Sequence, residues 1–73
     1  MTKQLLADKI TSFFVHFDML GGATETEMYE ATYRALESND KDGIKIMKNY
    51  FEKFIWEDKR AYEIYSELRL YNV

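Results

Sequence analysis

The chain has 73 residues, a net charge of −3, no cysteine and one histidine, His16. A chain of this length forms one helical domain, 1–73, and buries only about 60% of its unfolded surface, so its small core needs tight packing or self-association. The lack of cysteine excludes disulfides, and one histidine excludes the usual structural zinc sites. No apolar run exceeds three residues, whereas a spanning helix needs about 20. We therefore expect a cytoplasmic protein without a membrane segment, metal or cofactor.

Apolar residues at helical spacing define the first predicted element. They are Leu6, Ile10, Phe13, Phe17 and Leu20, widened by Leu5 and Phe14. A stripe with this period predicts an amphipathic helix over residues 3–19. Gly21 and Gly22 predict its end, because glycine readily adopts the left-handed conformation that terminates helices.

The second predicted helix begins after Thr24. Glu27 follows at the spacing of a capping box, in which the two side chains satisfy otherwise unpaired backbone amides. We predict this helix over residues 25–38. Its expected buried residues are Met28, Ala31, Thr32, Ala35 and Leu36. The serine, asparagine and aspartates that follow predict a turn, because their side chains hydrogen-bond to nearby backbone groups.

Residues 44–73 contain no glycine or proline, but they hold seven of the twelve aromatic residues. Apolar positions repeat here at spacings of three and four, with Asp58 in the middle of the stripe. The predicted core faces are Ile44, Met47, Phe51, Phe54 and Ile55 before Asp58, and Ala61, Ile64, Tyr65, Leu68 and Tyr71 after it. An aspartate at such a position must be solvated, paired or placed at a break between two helices. Two interpretations fit: one continuous or kinked helix over residues 43–71, about 42 Å long if unbroken, or two helices separated near Asp58. The lack of a helix-breaking residue favours the long helix.

The predicted fold class is all-α: a small three- or four-helix bundle with a long C-terminal helix, continuous or kinked. A continuous last helix would extend past the first two helices, which would be only about 26 and 21 Å long. Its second half would then need another copy of the chain to cover its apolar side chains. These are Ile64, Tyr65, Leu68 and Tyr71. A homodimer is the expected assembly.

No set of residues predicts catalysis. Asp8, Ser12 and His16 share one face of the first helix, which superficially resembles a hydrolytic triad. A triad needs the histidine between the nucleophile and the carboxylate, whereas here the serine is central and the outer two residues lie about 12 Å apart. We therefore predict an exposed polar face, no catalytic residues and a protein that is not an enzyme.

Two surfaces are candidates for binding a protein partner. Trp56 points away from the predicted core, where it is either an exposed anchor near Tyr62 or covered by a folded-back fourth helix. The second helix carries acidic residues on its outer face, which suit a basic partner. The predicted partner-binding residues are Trp56, Tyr62, Tyr65, Tyr71, Glu27, Glu30 and Glu37. The predicted function is a non-enzymatic protein–protein interaction module that acts as a small adaptor, inhibitor or regulator.

The alternative function is a regulator directed at nucleic acid. Lys41, Lys45 and Lys48 share a face of the third helix and could contact phosphates, or the acidic surface could imitate DNA. Residues 17–42, however, hold seven acidic residues against Arg34 and Lys41. This excess of negative charge disfavours contact with phosphates, so nucleic acid is the less favoured partner.

Overall fold

The computed structural model describes residues 1–71, and this part of the chain consists of helices and connecting turns without a strand. The helices are α1 (Lys3–His16), α2 (Glu25–Glu37), α3 (Lys41–Glu52) and α4 (Lys59–Leu68). The predicted all-α bundle is confirmed in its four-helix form. The longest helix has 14 residues, and no helix within residues 1–71 is long and apolar enough to cross a membrane.

Asp18 explains why α1 ends at His16 rather than near residue 19. Asp18 has a φ of 53°, and its N–H donates to the Val15 carbonyl at 3.1 Å while the Met19 N–H donates to the Phe14 carbonyl at 2.8 Å. The two bonds form a Schellman motif. Aspartate tolerates the left-handed conformation better than most residues, so the helix ends before the two glycines, which lie in the loop that follows. Their predicted role as its terminators was wrong.

The early end of α1 divides its predicted apolar stripe. Leu6, Ile10 and Phe13 are buried as predicted. Phe17 lies beyond the last helical residue and is 44% exposed, and Leu5 is also exposed. The predicted burial of these two side chains was wrong. For Phe17 the reason is that the stripe was extended with helical spacing past the point where the helix stops, whereas Leu5 lies in the first turn of α1, at the edge of its buried face.

Helix α2 begins with the predicted capping box. The Thr24 hydroxyl accepts from the Glu27 N–H at 3.1 Å, and the Glu27 carboxylate accepts from the Thr24 N–H at 2.9 Å. The buried residues of α2 are Thr32 and Leu36. Ala31, predicted to be buried, is exposed, because the buried face of α2 is narrower than the apolar arc in the sequence.

A tight turn connects α2 to α3. Asn39 has a φ of 53°, and the Asp40 N–H donates to the Ala35 carbonyl at 2.9 Å, which ends α2 with a second Schellman motif. Asp40 is also the N-cap of α3, and its carboxylate accepts from the Gly43 N–H at 3.2 Å. One residue therefore closes one helix and starts the next, as the turn residues predicted.

The long C-terminal helix is not present: α3 ends at Glu52 and α4 begins at Lys59. The preference for a continuous helix was therefore wrong. The described chain extends 29 Å along its longest axis, whereas an unbroken helix over residues 43–71 would be about 42 Å long. The chain reverses instead, and α4 packs alongside α3 and α1.

Asp58 makes this break possible without glycine or proline. It has an extended backbone, with a φ of −143° and a ψ of 122°, and it is the N-cap of α4. Its carboxylate accepts from the Arg60 N–H at 2.8 Å, which satisfies one of the unpaired amides of the first turn. The aspartate in the apolar stripe is thus explained by the last option that the sequence offered, a position between two helices.

The core lies where the four helices meet, and every helix contributes to it. Phe13 of α1 packs against Phe51 of α3 with ring centroids 5.0 Å apart, an edge-to-face geometry that aromatic pairs favour. The buried apolar residues are Leu6, Ala7, Ile10, Phe13, Leu36, Ile44, Phe51, Ala61, Ile64 and Leu68. All of them come from predicted apolar stripes except Ala7, which widens the stripe of α1.

The folded-back α4 removes the reason for expecting a homodimer. Ile64 and Leu68, which were expected to need a second chain, are buried within this one. Tyr65 and Tyr71 are half-buried against the same core. The homodimer stays a prediction, now without the overhanging helix on which it depended.

Two leucines near the C-terminus test whether α4 folds back in solution. Leu68 is 0% exposed and Leu70 is 77% exposed. Replacing a buried leucine by alanine costs about 2–5 kcal/mol, whereas an exposed substitution changes stability by less than about 0.5 kcal/mol. Leu68→Ala should therefore lower the free energy of unfolding in urea by at least about 2 kcal/mol and Leu70→Ala should leave it unchanged. Equal effects of the two substitutions would contradict the packing of α4.

Candidate functional site

The turn between α3 and α4 presents the most exposed large hydrophobic side chain of the described residues. Backbone bonds from the Phe54 N–H to the Phe51 carbonyl and from the Asp58 N–H to the Phe54 carbonyl, each 3.0 Å, hold this turn. Phe54 and Ile55 are half-buried in it. Trp56 is 91% exposed. The chain does turn before Asp58, but α4 does not cover the tryptophan, so Trp56 is exposed, and its role as an anchor stays a prediction.

Trp56 lies on a shallow groove between the turn and one side of α4. Tyr62, which is 58% exposed, lies on the same groove together with the half-buried Ile55. We call these three residues the Trp56–Tyr62 surface. Charged and polar residues surround it: Glu57, Asp58, Lys59, Glu63, Ser66 and Glu67. An apolar centre with a polar rim is the general organisation of protein–protein interfaces.

Tyr65 and Tyr71, predicted to belong to the same patch, do not line this groove. The Tyr65 hydroxyl donates to the Glu52 carboxylate at 3.3 Å, which links α4 to the end of α3. Burial raises the pKa of the Tyr71 phenol, and the nearby Glu67 adds to this shift. Both rings are half-buried against the core, so their visible role is to pack α4.

The predicted acidic residues lie on the exposed side of α2, and each interacts with a neighbour on that helix. Glu27 forms the capping box, and its hydrogen bonds with the backbone and side chain of Thr24 lower the pKa of its carboxyl. Glu30 lies 4.0 Å from Arg34. The interaction of the Tyr33 hydroxyl with the Glu37 carboxylate raises the pKa of Tyr33.

Asp58 connects the turn to α4 and, through Arg60, to the end of α1. The Arg60 guanidinium donates to the Asp58 carboxylate at 3.1 Å and 2.8 Å. This interaction lowers the pKa of Asp58 and raises that of Arg60. The guanidinium carbon also lies 5.3 Å from the centroid of the Phe17 ring, within the distance of a cation–π contact.

The polar residues of α1 do not form a catalytic arrangement. Asp8 and Ser12 line a cleft of about 380 Å³ between α1 and α4, which His16 does not line. The charged groups bordering this cleft include Lys9 and Glu63, paired at 2.8 Å. Within residues 1–71, no group of three or more His, Cys, Asp or Glu side chains could hold a metal ion.

The lysines of α3 form a face that an acidic residue interrupts. Lys41 and Lys45 are exposed, and Lys48 is half-buried. Glu52 follows Lys48 on the same side of the helix, at a spacing of four residues. The nucleic-acid alternative stays a prediction, as does imitation of DNA by the acidic side of α2.

Sequence patterns missed two contributors to the surface near the turn. Ile55 was assigned to the core, but it lines the groove beside Trp56. Phe17 was assigned to the helical stripe, but it is exposed and contacts Arg60. Asp58 and Asp18 mark the helix ends from which the spacing must be counted afresh, but only their backbone conformations identify them as such.

No family model, curated protein or solved structure matches this chain. The Trp56–Tyr62 surface must therefore be interpreted from its own geometry. It combines the most exposed aromatic side chain of the described residues with a second exposed ring and a shallow groove. It is the strongest candidate for a functional site.

The exposure of Trp56 can be measured directly because it is the single tryptophan of the chain. We expect its emission maximum and its quenching by acrylamide to match those of N-acetyl-tryptophan amide, since 91% of the residue is open to solvent. Tyr62→Ala should leave both unchanged, as Tyr62 lies beside the indole without covering it. Emission that shifts to shorter wavelength as the protein is concentrated would show that a second copy covers Trp56.

The N-cap at Asp58 gives a prediction with an internal control. Asp58→Asn keeps an oxygen that can accept the Arg60 N–H but loses the charge, whereas Asp58→Ala loses both. We expect the melting temperature at neutral pH to fall in the order wild type, Asp58→Asn, Asp58→Ala, as measured by circular dichroism. An unchanged melting temperature in Asp58→Ala would contradict the capping role.

The same carboxyl predicts how stability depends on pH. Its pKa in the folded protein lies below the ordinary aspartate value of 3.8, so its contribution is fully present above that value and is lost as the pH falls through the folded-state pKa. The advantage of the wild type over Asp58→Asn should therefore shrink in strong acid. A difference that is constant from neutral to acid pH would show that the charge of Asp58 does not contribute.

Proposed function

We propose that this chain is a non-enzymatic module that binds another protein through the Trp56–Tyr62 surface, as a small adaptor, inhibitor or regulator. The observation that carries the proposal is the 91% exposure of Trp56 beside a groove shared with Tyr62. Tryptophan and tyrosine are enriched among the residues that dominate binding energy at interfaces. Their rings provide a large contact area and lose little conformational entropy.

The exposed tryptophan is costly to a chain that has no use for it. A buried aromatic side chain removes about 150–250 Å² from water, and at about 25 cal/mol per Å² this corresponds to roughly 4–6 kcal/mol of transfer free energy. The chain does not recover this free energy internally, because α4 turns away from the ring. A partner that covers Trp56 would recover it, less the cost of association.

The arrangement of helices supports a rigid docking site. Trp56 projects from a turn whose two ends are fixed, on one side by the buried Phe51 and on the other by the Asp58 cap of α4. Tyr62 lies on α4, whose opposite face is buried through Ala61 and Ile64. Two rings held by packed elements lose little further freedom on binding, which favours affinity.

The test is partner capture with matched variants of the full chain. The tagged protein is used to isolate partners from the cells in which it is expressed, and the captured partner is then titrated against each variant. Trp56→Ala and Tyr62→Ala remove the proposed anchors. Ile46→Ala and Leu70→Ala remove exposed apolar side chains of similar accessibility, 69% and 77%, from outside the groove.

We expect Trp56→Ala to weaken binding of the captured partner by about 30-fold or more, the size of an interface hot spot. The two control variants should bind like the wild type. All variants should keep the helical circular dichroism, because the substituted side chains are exposed. Two results together would assign the interface to α2 instead. The double variant of Trp56 and Tyr62 would bind with wild-type affinity, and charge reversal at Glu30 and Glu37 would abolish binding.

A further inference from the structure

A second pocket opens beside the turn that carries Trp56. It has a volume of about 290 Å³ and is lined by Phe13, Phe17, Met19, Phe54, Glu57 and Asp58. The pocket lies between the end of α1 and the start of α4, and it shares Glu57 and Asp58 with the groove of the Trp56–Tyr62 surface. We call it the phenylalanine pocket. One bound polypeptide segment could therefore contact both sites by crossing the turn.

Three aromatic rings form the walls of the phenylalanine pocket. The Phe13 ring is buried, and its centroid lies 4.7 Å from that of Phe17 and 6.2 Å from that of Phe54. Phe17 is 44% exposed and Met19 is 43% exposed, so the pocket is open to a ligand. The faces of phenylalanine rings carry negative electrostatic potential and attract cations.

The charge of the pocket is negative. Its two carboxylates are Glu57 and Asp58, and Asp58 is already paired with Arg60 at 2.8 Å. Among residues 1–71, Glu57 takes part in none of the ion pairs. The pocket thus combines aromatic walls with one unpaired carboxylate, a combination that favours a cationic ligand.

The chain itself shows how a guanidinium binds at this place. Arg60 forms a two-pronged interaction with the Asp58 carboxylate and at the same time stands 5.3 Å from the centroid of the Phe17 ring. Arg60 does not line the phenylalanine pocket. A second guanidinium could therefore enter the pocket and repeat this arrangement with Glu57 as the carboxylate and Phe54 as the ring.

We propose that the phenylalanine pocket binds an arginine side chain, presented by the protein that docks on the Trp56–Tyr62 surface. The part about the partner rests on the proposed function, whereas the affinity of the pocket for arginine does not. Arginine fits better than lysine because its planar guanidinium stacks on rings and also binds a carboxylate through two N–H groups. The partner segment would thus carry an arginine that enters the pocket and an apolar residue that packs on Trp56.

The probe for a direct test is N-acetyl-L-arginine amide, titrated into the isotope-labelled full chain and followed by amide NMR shifts. We expect saturable shifts at the amides of Phe17, Phe54 and Glu57, with a Kd on the order of 1 mM, as befits a ligand of this size. The citrulline analogue, which has nearly the same shape without the charge, should cause no saturable shift. The lysine analogue should bind at least about threefold more weakly, since it lacks the planar fork.

Two charge-neutralising variants separate the pocket from the general acidity of the protein. Glu57→Gln should weaken arginine amide binding by about tenfold or more, the usual effect of losing a charge-assisted hydrogen bond. Glu25→Gln removes the same charge from an exposed position on α2 and should bind like the wild type. Phe17→Leu should also weaken binding, because it keeps an apolar wall but removes the ring.

Several results would overturn the arginine assignment. They are the absence of saturable shifts up to about 50 mM arginine amide, equal shifts with citrulline amide, equal affinity for lysine amide, and equal weakening by Glu57→Gln and Glu25→Gln. Trp56→Ala should bind arginine amide normally, since the indole does not line this pocket. If the pocket binds arginine amide but partner capture survives the loss of Trp56 and Tyr62, only the proposed function is refuted. If the loss of Trp56 and Tyr62 abolishes partner capture but the pocket does not bind arginine amide, only the arginine assignment is refuted.

Discussion

The fold depends on the interruption of the C-terminal apolar stripe at Asp58. On one side of it, α3 buries Ile44 and Phe51; on the other, α4 buries Ala61, Ile64 and Leu68. At 100° per residue these two sets face different directions on a single helix, so an unbroken helix could not bring both to one core. Asp58 has an extended backbone, which changes the direction of the chain between the helices. Its carboxylate then accepts a hydrogen bond from the Arg60 N–H in the first turn of α4. A chain of 73 residues with few residues to bury gains a fourth helix for its core by this means.

The same interruption creates the exposed surface. A turn between two packed helices must place some side chains outward, and residues 53–57 divide accordingly: Phe54 reaches the core, whereas Trp56 and Glu57 are exposed. Because the helix stops before Trp56, no neighbour on its own helix and no facing helix covers the indole. Asp58 and its partner Arg60 then fix the geometry on both sides of the turn, since Arg60 also contacts Phe17 at the end of α1. The groove and the phenylalanine pocket therefore both result from the break between α3 and α4 at Asp58.

The parts of this fold that could be predicted from the sequence are those governed by local chemistry. Thr24 and Glu27 marked a helix start because the capping box is a contact between neighbours in the chain, and the stripe of Leu6, Ile10 and Phe13 marked a buried face because its period is helical. The errors at Asp18 and Asp58 share a cause. Aspartate ends or starts a helix only when its backbone adopts a left-handed or extended conformation, and that choice is made by tertiary packing, which the presence or absence of glycine and proline does not reveal. The exposure of Trp56 could not be decided from the sequence either, because a folded-back fourth helix could have covered the indole.

The position of the two candidate sites constrains what a partner must look like. The groove and the phenylalanine pocket share Glu57 and Asp58 in the turn between α3 and α4, so a partner that uses both must contact this turn. A short extended or helical segment with an apolar and a cationic side chain meets this requirement, whereas a nucleic-acid backbone does not, because phosphates would approach Glu57. The acidic side of α2 would favour the same kind of partner, because negative charge attracts basic chains before contact. The proposed recognition of a basic polypeptide would use the excess acid, the exposed rings and the unpaired carboxylate together.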